Sequence, residues 1–113
     1  MSDRKILQRG DVFWVNLDST FGSEAKKTRP GVIISNNSQN RIGQRVIIAP
    51  LTSVVHKVYP FEVLIDLQGK KSKVMLDQIR TVDCKYLGLR LGKLNLKEVE
   101  KLDIILKRVL ELG

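Results

Sequence analysis

The hydrophobic residues of this chain change their period once, near Asn95, and that change limits the folds open to it. Ahead of Asn95, apolar residues come in short, often β-branched runs divided by polar stretches, the pattern of strands and turns. Behind it, Val99, Leu102, Ile105, Leu106, Val109 and Leu110 recur at helical spacing. Asn95 with Glu98 three residues on is a helix-starting pair, so the spacing predicts a helix over 95–112, about 27 Å long. Its one apolar stripe must cover a sheet or a partner. Strands are expected at 11–17, 31–35, 45–51 and 61–66, with one or two more inside 73–82. The stretch from Arg45 to Leu51 is apolar almost throughout and should be central. Residues 18–30 and 52–60 read as polar loops, 36–40 as a turn or one helical turn, and Gly69-Lys70-Lys71-Ser72 as a turn. The expected fold is mainly β, with five or six short strands in a small barrel plus a C-terminal helix, and with Phe13 and Trp14 packed in the core.

At 113 residues the chain is expected to form one domain over 1–113. A single cysteine, Cys84, excludes an internal disulfide, and with only one histidine, His56, it excludes the usual His/Cys metal clusters. No apolar run approaches the ~20 residues that cross a bilayer. No apolar segment follows Arg4 and Lys5, so a cytoplasmic protein is expected. Twenty Lys and Arg against 12 Asp and Glu give a formal charge of +8, which suits a polyanionic partner. Lys26, Lys27 and Arg29 cluster in the first loop, with Arg41 and Arg45 beyond, and Lys70, Lys71 and Lys73 form a second cluster. No basic amphipathic helix stands out, so nucleic acid is favoured over a membrane surface.

Three ordered blocks carry a more specific signal. Residues 9–18 (RGDVFWVNLD) are followed by Gly22-Ser23-Glu24 and by Arg29-Pro30 opening an apolar run. Residues 46–52 (VIIAPLT) close a strand, and residues 77–83 (DQIRTVD) follow, with 59–63 (YPFEV) between them. In this order and at these spacings the blocks resemble the MazF/PemK family of bacterial toxins. The resemblance implies a partly open SH3-like barrel, the MazF/CcdB-like toxin fold, with appended helices. It also implies a metal-independent, cofactor-free, sequence-specific endoribonuclease that cuts single-stranded messenger RNA and so inhibits translation and growth. The partners implied are a second copy in a homodimer, an acidic cognate antitoxin that neutralises it, and operator DNA bound by the toxin–antitoxin complex through the antitoxin.

Cutting RNA without a metal drives the ribose 2′-hydroxyl onto the adjacent phosphorus, which needs a proton acceptor, a proton donor and support for a charged phosphorane. The family resemblance puts a catalytic arginine at Arg29, whose fork matches two phosphate oxygens. Pro30 biases Arg29 toward extended backbone. An ion pair between Arg29 and Glu24 is the plain alternative. Thr52, at a strand end, is the second catalytic expectation, although such a threonine is commonly just a turn residue. Glu24 and Asp77 are the carboxylates available to accept the 2′-proton, and the sequence does not choose between them. Some relatives have a histidine where this chain has Thr28, and others an arginine where it has Met75, so the base is left open.

Substrate contacts are expected from Lys26, Lys27 and Thr28 in the first loop, from Ser53 in the second, and from Gln78. Phe21 and Tyr59 are the loop aromatics able to stack on bases. His56 reads as a solvated loop residue and Cys84 as an ordinary small side chain. Two rivals share the charge and fold: a nucleic-acid-binding barrel that does not cut, and a toxin that poisons DNA gyrase. The gyrase class carries a Trp-Gly-Ile ending where this chain has Glu111-Leu112-Gly113.

Overall fold

The computed structural model describes residues 6–17 and 28–113. Among them, seven strands run in chain order with two α-helices: β1 (Asp11–Asn16), β2 (Thr28–Ile33), α1 (Asn37–Ile42), β3 (Arg45–Thr52), β4 (Glu62–Leu67), β5 (Lys70–Met75), β6 (Arg80–Asp83), β7 (Leu87–Lys93) and α2 (Leu96–Leu110). The sheet order is β4-β5-β3-β2-β1-β7, with β6 also paired to β3, and every pairing given is antiparallel. The result is a curled half-barrel closed on one side by α2. As expected from its apolar run, β3 is central. It pairs with β2 along one edge and, along the other, with β6 at its start and β5 at its end.

The central strands carry buried residues on both faces, which is why they alternate so weakly in sequence. One face holds Val12, Val32, Ala49, Leu51, Val63, Val74 and the α2 residues Leu102 and Ile105. The other holds Phe13, Val15, Ile33, Val46, Ile48 and Leu87. The helix begins where the sequence placed it. Asn95 accepts the N–H of Glu98 at 2.8 Å, and Glu98 accepts the N–H of Asn95 at 2.9 Å, a reciprocal cap. Of its apolar stripe, Leu102 and Ile105 are buried, Val99, Leu106 and Val109 pack against them, and Leu110 is exposed.

The strand plan is corrected: seven strands stand among the described residues where five or six were expected, and β2 opens at Thr28, inside the polar loop expected over 18–30. The turn expected at 69–72 is only Gln68-Gly69, both at positive φ (54° and 82°), a geometry suited to a two-residue hairpin. Lys70 to Ser72 therefore belong to β5. Strand β7 lies in a stretch that sequence reading left unassigned. Its apolar residues are interrupted by Gly88, Arg90 and Gly92, and irregular pairing to β1 accommodates them.

Candidate active site

The β2–β3 ladder ends at the pair Gly31–Pro50. Carried two residues further, that register sets Arg29 opposite Thr52, the last residue of β3. Arg29 is itself paired with Val15 on β1, and Thr52 with Lys73 on β5. Opposed residues of a ladder share a face, so by this extended register the ladder pairs Val15–Arg29 and Thr52–Lys73 line up as one row across four strands. The row begins in the core at Val15 and emerges at Arg29, which is half-buried. Among the described residues Arg29 makes no ion pair. A guanidinium fork has the geometry to give two parallel donors to a phosphate. Thr52 Oγ1 accepts the N–H of Val54 at 3.2 Å. That bond confirms the turn role and, by using a lone pair, leaves the hydroxyl proton as a donor.

Beside this row lies a groove of about 350 Å³. Trp14, Pro30, Leu67 and Leu91 form its apolar wall, and Thr52, Ser53, Gln68 and Lys70 line it with polar groups. Trp14 overturns its expected place in the core. Phe13 is 2% exposed and Trp14 is 37% exposed, because they sit on opposite faces and Trp14 lies where its face runs out toward the sheet end. Gly88 leaves it room, since a Cβ there would lie 3.3 Å from the Trp14 Cβ. The β1–β7 ladder slips between Val12 and Phe13, leaving Leu91 between the paired Arg90 and Gly92. The Leu91 carbonyl accepts from Gln68 Nε2, tying the β4–β5 hairpin across the groove.

The loop after Thr52 is fastened from below. Lys73 Nζ lies 2.9 Å from Glu62 Oε1 and donates to the Lys57 carbonyl at 2.7 Å, and Glu62 Oε1 accepts the N–H of Tyr59 at 2.9 Å. Tyr59 stacks on Phe61 with ring centroids 5.3 Å apart and planes 2° from parallel, with Lys57 Nζ 4.9 Å from its centroid.

The PemK-like, MazF-like toxin family of type II toxin–antitoxin systems matches residues 8–110. The chain belongs to this family. It is similar to endoribonuclease MazF9 of Mycobacterium tuberculosis, 36% identical over 95% of this chain and 98% of that one. It is also similar to endoribonuclease EndoA of Bacillus subtilis, 33% identical over 87% of this chain and 89% of that one. Among solved structures, a mycobacterial endoribonuclease in complex with its cognate antitoxin superposes with a TM-score of 0.81 at 26% identity, covering 95% and 97% of the two chains. MazF from Deinococcus radiodurans shares the fold, with a TM-score of 0.79 at 24% identity over 96% and 99%.

In this PemK/MazF-like toxin the structure brings Arg29, Thr52 and Ser53 to one end of the sheet. Asp77 and Gln78 lie in an exposed 3₁₀ turn, Leu76–Gln78, which packs against β3 where that strand passes from β6 to β5. Gln78 Nε2 is 3.6 Å from Met75 Sδ. Thr28 is exposed at the start of β2. Glu24, Phe21, Lys26 and Lys27 lie outside the described residues. Tyr59 is 41% exposed, with one ring face given to Phe61. His56 is exposed, as expected. Sequence reasoning passed over Trp14, Gln68 and Lys70 as groove residues. Gln68-Gly69 carried a local signal for a tight turn, whereas nothing local marked Trp14.

Proposed function

We propose that this chain is the toxin of a type II toxin–antitoxin pair, an endoribonuclease that cuts single-stranded messenger RNA within a short recognition sequence and without a metal. The observation that carries the reading is that Arg29 near the start of β2 and Thr52 at the end of β3 stand at one end of the sheet, with Thr52 lining the groove, in a chain whose family is toxins and whose relatives are named endoribonucleases. RNA lies along the groove with its scissile phosphate over the row. The 2′-oxygen bonds to phosphorus, the bond to the next nucleotide's 5′-oxygen breaks, and a cyclic phosphate and a 5′-hydroxyl result. Arg29 neutralises the phosphorane, and the Thr52 hydroxyl donates to one of its oxygens. Glu24 or Asp77 accepts the 2′-proton, and a protonated group or water returns one to the leaving oxygen. Trp14 offers a base its ring face, with Ser53 and Gln68 placed to read base edges.

The protein works in the cytoplasm as a homodimer and is held inactive by an acidic antitoxin, for which a +8 chain is an electrostatic match. The antitoxin also carries the complex to operator DNA. The test is incubation of the purified, antitoxin-free protein with long single-stranded RNA in excess EDTA, with new ends mapped. Discrete cuts in one recurring sequence, lost in Arg29→Ala, are the expected result. Absence of cuts across diverse RNAs would overturn the ribonuclease reading in favour of a binding barrel.

A further inference from the structure

A lysine and a glutamate are both buried at the base of the loop that follows Thr52, and neither belongs to the mechanism above. Lys73 is 7% exposed and Glu62 is 8% exposed. They are not in the hydrophobic core. Apart from the buried Met75 opposite Glu62, the face of β4 and β5 that carries them is open, with Leu64, Asp66 and Lys71 exposed. Lys73 is buried because residues 57–61 fold over it. Its ammonium reaches Glu62, donates to the Lys57 carbonyl and lies 5.6 Å from the Tyr59 ring centroid. Glu62 completes the circuit by accepting the Tyr59 N–H, while the Glu62 N–H donates to the Tyr59 carbonyl at 2.9 Å.

Such a pair is a poor way to gain stability, because desolvating two charges costs about as much as their attraction returns, and apolar replacements are often neutral or better. An apolar residue at position 73 would cover the loop equally well. It would not hold a main-chain carbonyl at a fixed place. What the ammonium adds is a directional hold on the loop, and it does so from the residue paired with Thr52 across the β3–β5 ladder. The strand end carrying the Thr52 hydroxyl is thereby pinned on both sides, by its turn bond to Val54 and by the loop anchored on Lys73.

We propose that Lys73 is a positioning residue: held by Glu62, it anchors the 53–58 loop through the Lys57 carbonyl and so fixes the Thr52 hydroxyl and Ser53 relative to the scissile phosphate. This rests on the ribonuclease reading above. It concerns two residues that touch neither the phosphate nor the attacking oxygen.

The experiment is a double-mutant cycle in steady-state cleavage of an RNA with one cut site. It compares wild type, Thr52→Val, the combined Glu62→Gln/Lys73→Met change and all three together. The combined change leaves no unpaired buried charge and should melt close to wild type. Its kcat should fall about 10–100-fold, the scale of a small misplacement of a reacting group, with KM changed far less. Because the loss acts through Thr52, adding it to Thr52→Val should slow that variant little further. Wild-type kcat in the combined variant overturns the proposal, as does a loss that multiplies with that of Thr52→Val.

Should the combined variant fail to fold, Glu62→Gln/Lys73→Gln is read instead, which keeps polar side chains at both positions and leaves no unpaired buried charge. A glutamine at 73 is one bond shorter than lysine and uncharged, unable to hold residue 62 and the Lys57 carbonyl together, and wild-type kcat in this variant would equally overturn the proposal. A wild-type protein that cuts no RNA is a failure of the ribonuclease reading, not of the anchor. The anchor is then read from hydrogen exchange, where the Tyr59 amide should lose about tenfold or more of its protection in the variant. Unchanged protection there removes the anchor as well.

Discussion

Thr52→Val separates a turn residue from a catalytic one, because it removes together the turn bond seen in the structure and the donor role in the proposed mechanism. As an acceptor, Oγ1 takes the Val54 N–H at 3.2 Å in an exposed turn. A neutral bond of that kind contributes about 0.5–1.5 kcal/mol, and its N–H can turn to water, so the melting temperature should drop by only a few degrees. In the proposed mechanism the hydroxyl also donates to an oxygen that gains charge in the transition state. A hydrogen bond to a charged group contributes about 1.5–3 kcal/mol, and with about 1.4 kcal/mol per decade of rate this is a loss of about 10–150-fold in kcat. KM should change little, since the charge develops only as the phosphorane forms. Thr52→Ser keeps the hydroxyl and should keep most of the rate. The assay is single-turnover cleavage of a short fluorogenic RNA, with melting measured on the same preparations. A Thr52→Val protein that melts a few degrees lower yet cuts at the wild-type rate would show that Thr52 only closes the turn, and the role of the Arg29–Thr52 row would fall with it.

Arg29→Ala should lower cleavage by about 10²–10³-fold or more with little change in melting, because Arg29 has no ion-pair partner among the described residues; cleavage retained in a folded Arg29→Ala protein would move the phosphate support elsewhere. Trp14→Ala should raise KM by about 5–150-fold, the equivalent of about 1–3 kcal/mol of stacking on one base, and leave kcat nearly alone. Trp14 is the only tryptophan, so its fluorescence should quench as RNA is titrated in, and an unresponsive signal would remove it from the groove's function. Asn95→Ala breaks the reciprocal cap at the start of α2 and should cost about 1 kcal/mol in denaturant unfolding without changing the pattern of RNA cuts.

Legibility in the sequence followed the range of the interactions involved. The α2 start was readable because a reciprocal cap is made by residues three apart, and β3 because burial on both faces demands an unbroken apolar run. The hairpin at Gln68-Gly69 was blurred by the lysines behind it: Lys70 and Lys71 look like turn residues, but they are solvent-facing positions on β5. Trp14 and Phe13 are adjacent in one strand and equally hydrophobic. What distinguishes them is the face: Phe13 meets a packed core, whereas Trp14 stands in the groove with Pro30, Leu67 and Leu91, which come from β2, β4 and β7. Lys73 was unreadable for the same reason. Its burial is created by a loop whose contact with it spans 16 residues of sequence, and no local pattern distinguishes a lysine under a loop from one in water.

The block at residues 9–11 shows how family likeness and chemistry part company. Arg-Gly-Asp is among the residues that carried the resemblance, yet the structure uses all three as a brace. Arg9 Nε donates to the Ile34 carbonyl at 2.8 Å while its other end meets Asp103 of α2 at 2.8 Å. Gly10, at φ 96°, takes a conformation that a side chain would strain, and its N–H donates to the Ile33 carbonyl at 2.8 Å. Asp11, buried, accepts the Gln8 N–H at 3.0 Å and meets Arg90 of β7 at 3.1 Å. Together they fix the Ile33 end of β2 to α2 and the start of β1 to β7. Arg29 lies at the opposite end of β2, four residues before Ile33, so a brace at one end leaves the other end to project a cation. The motif therefore sets the strand that aims the arginine, and the reacting groups follow from its register.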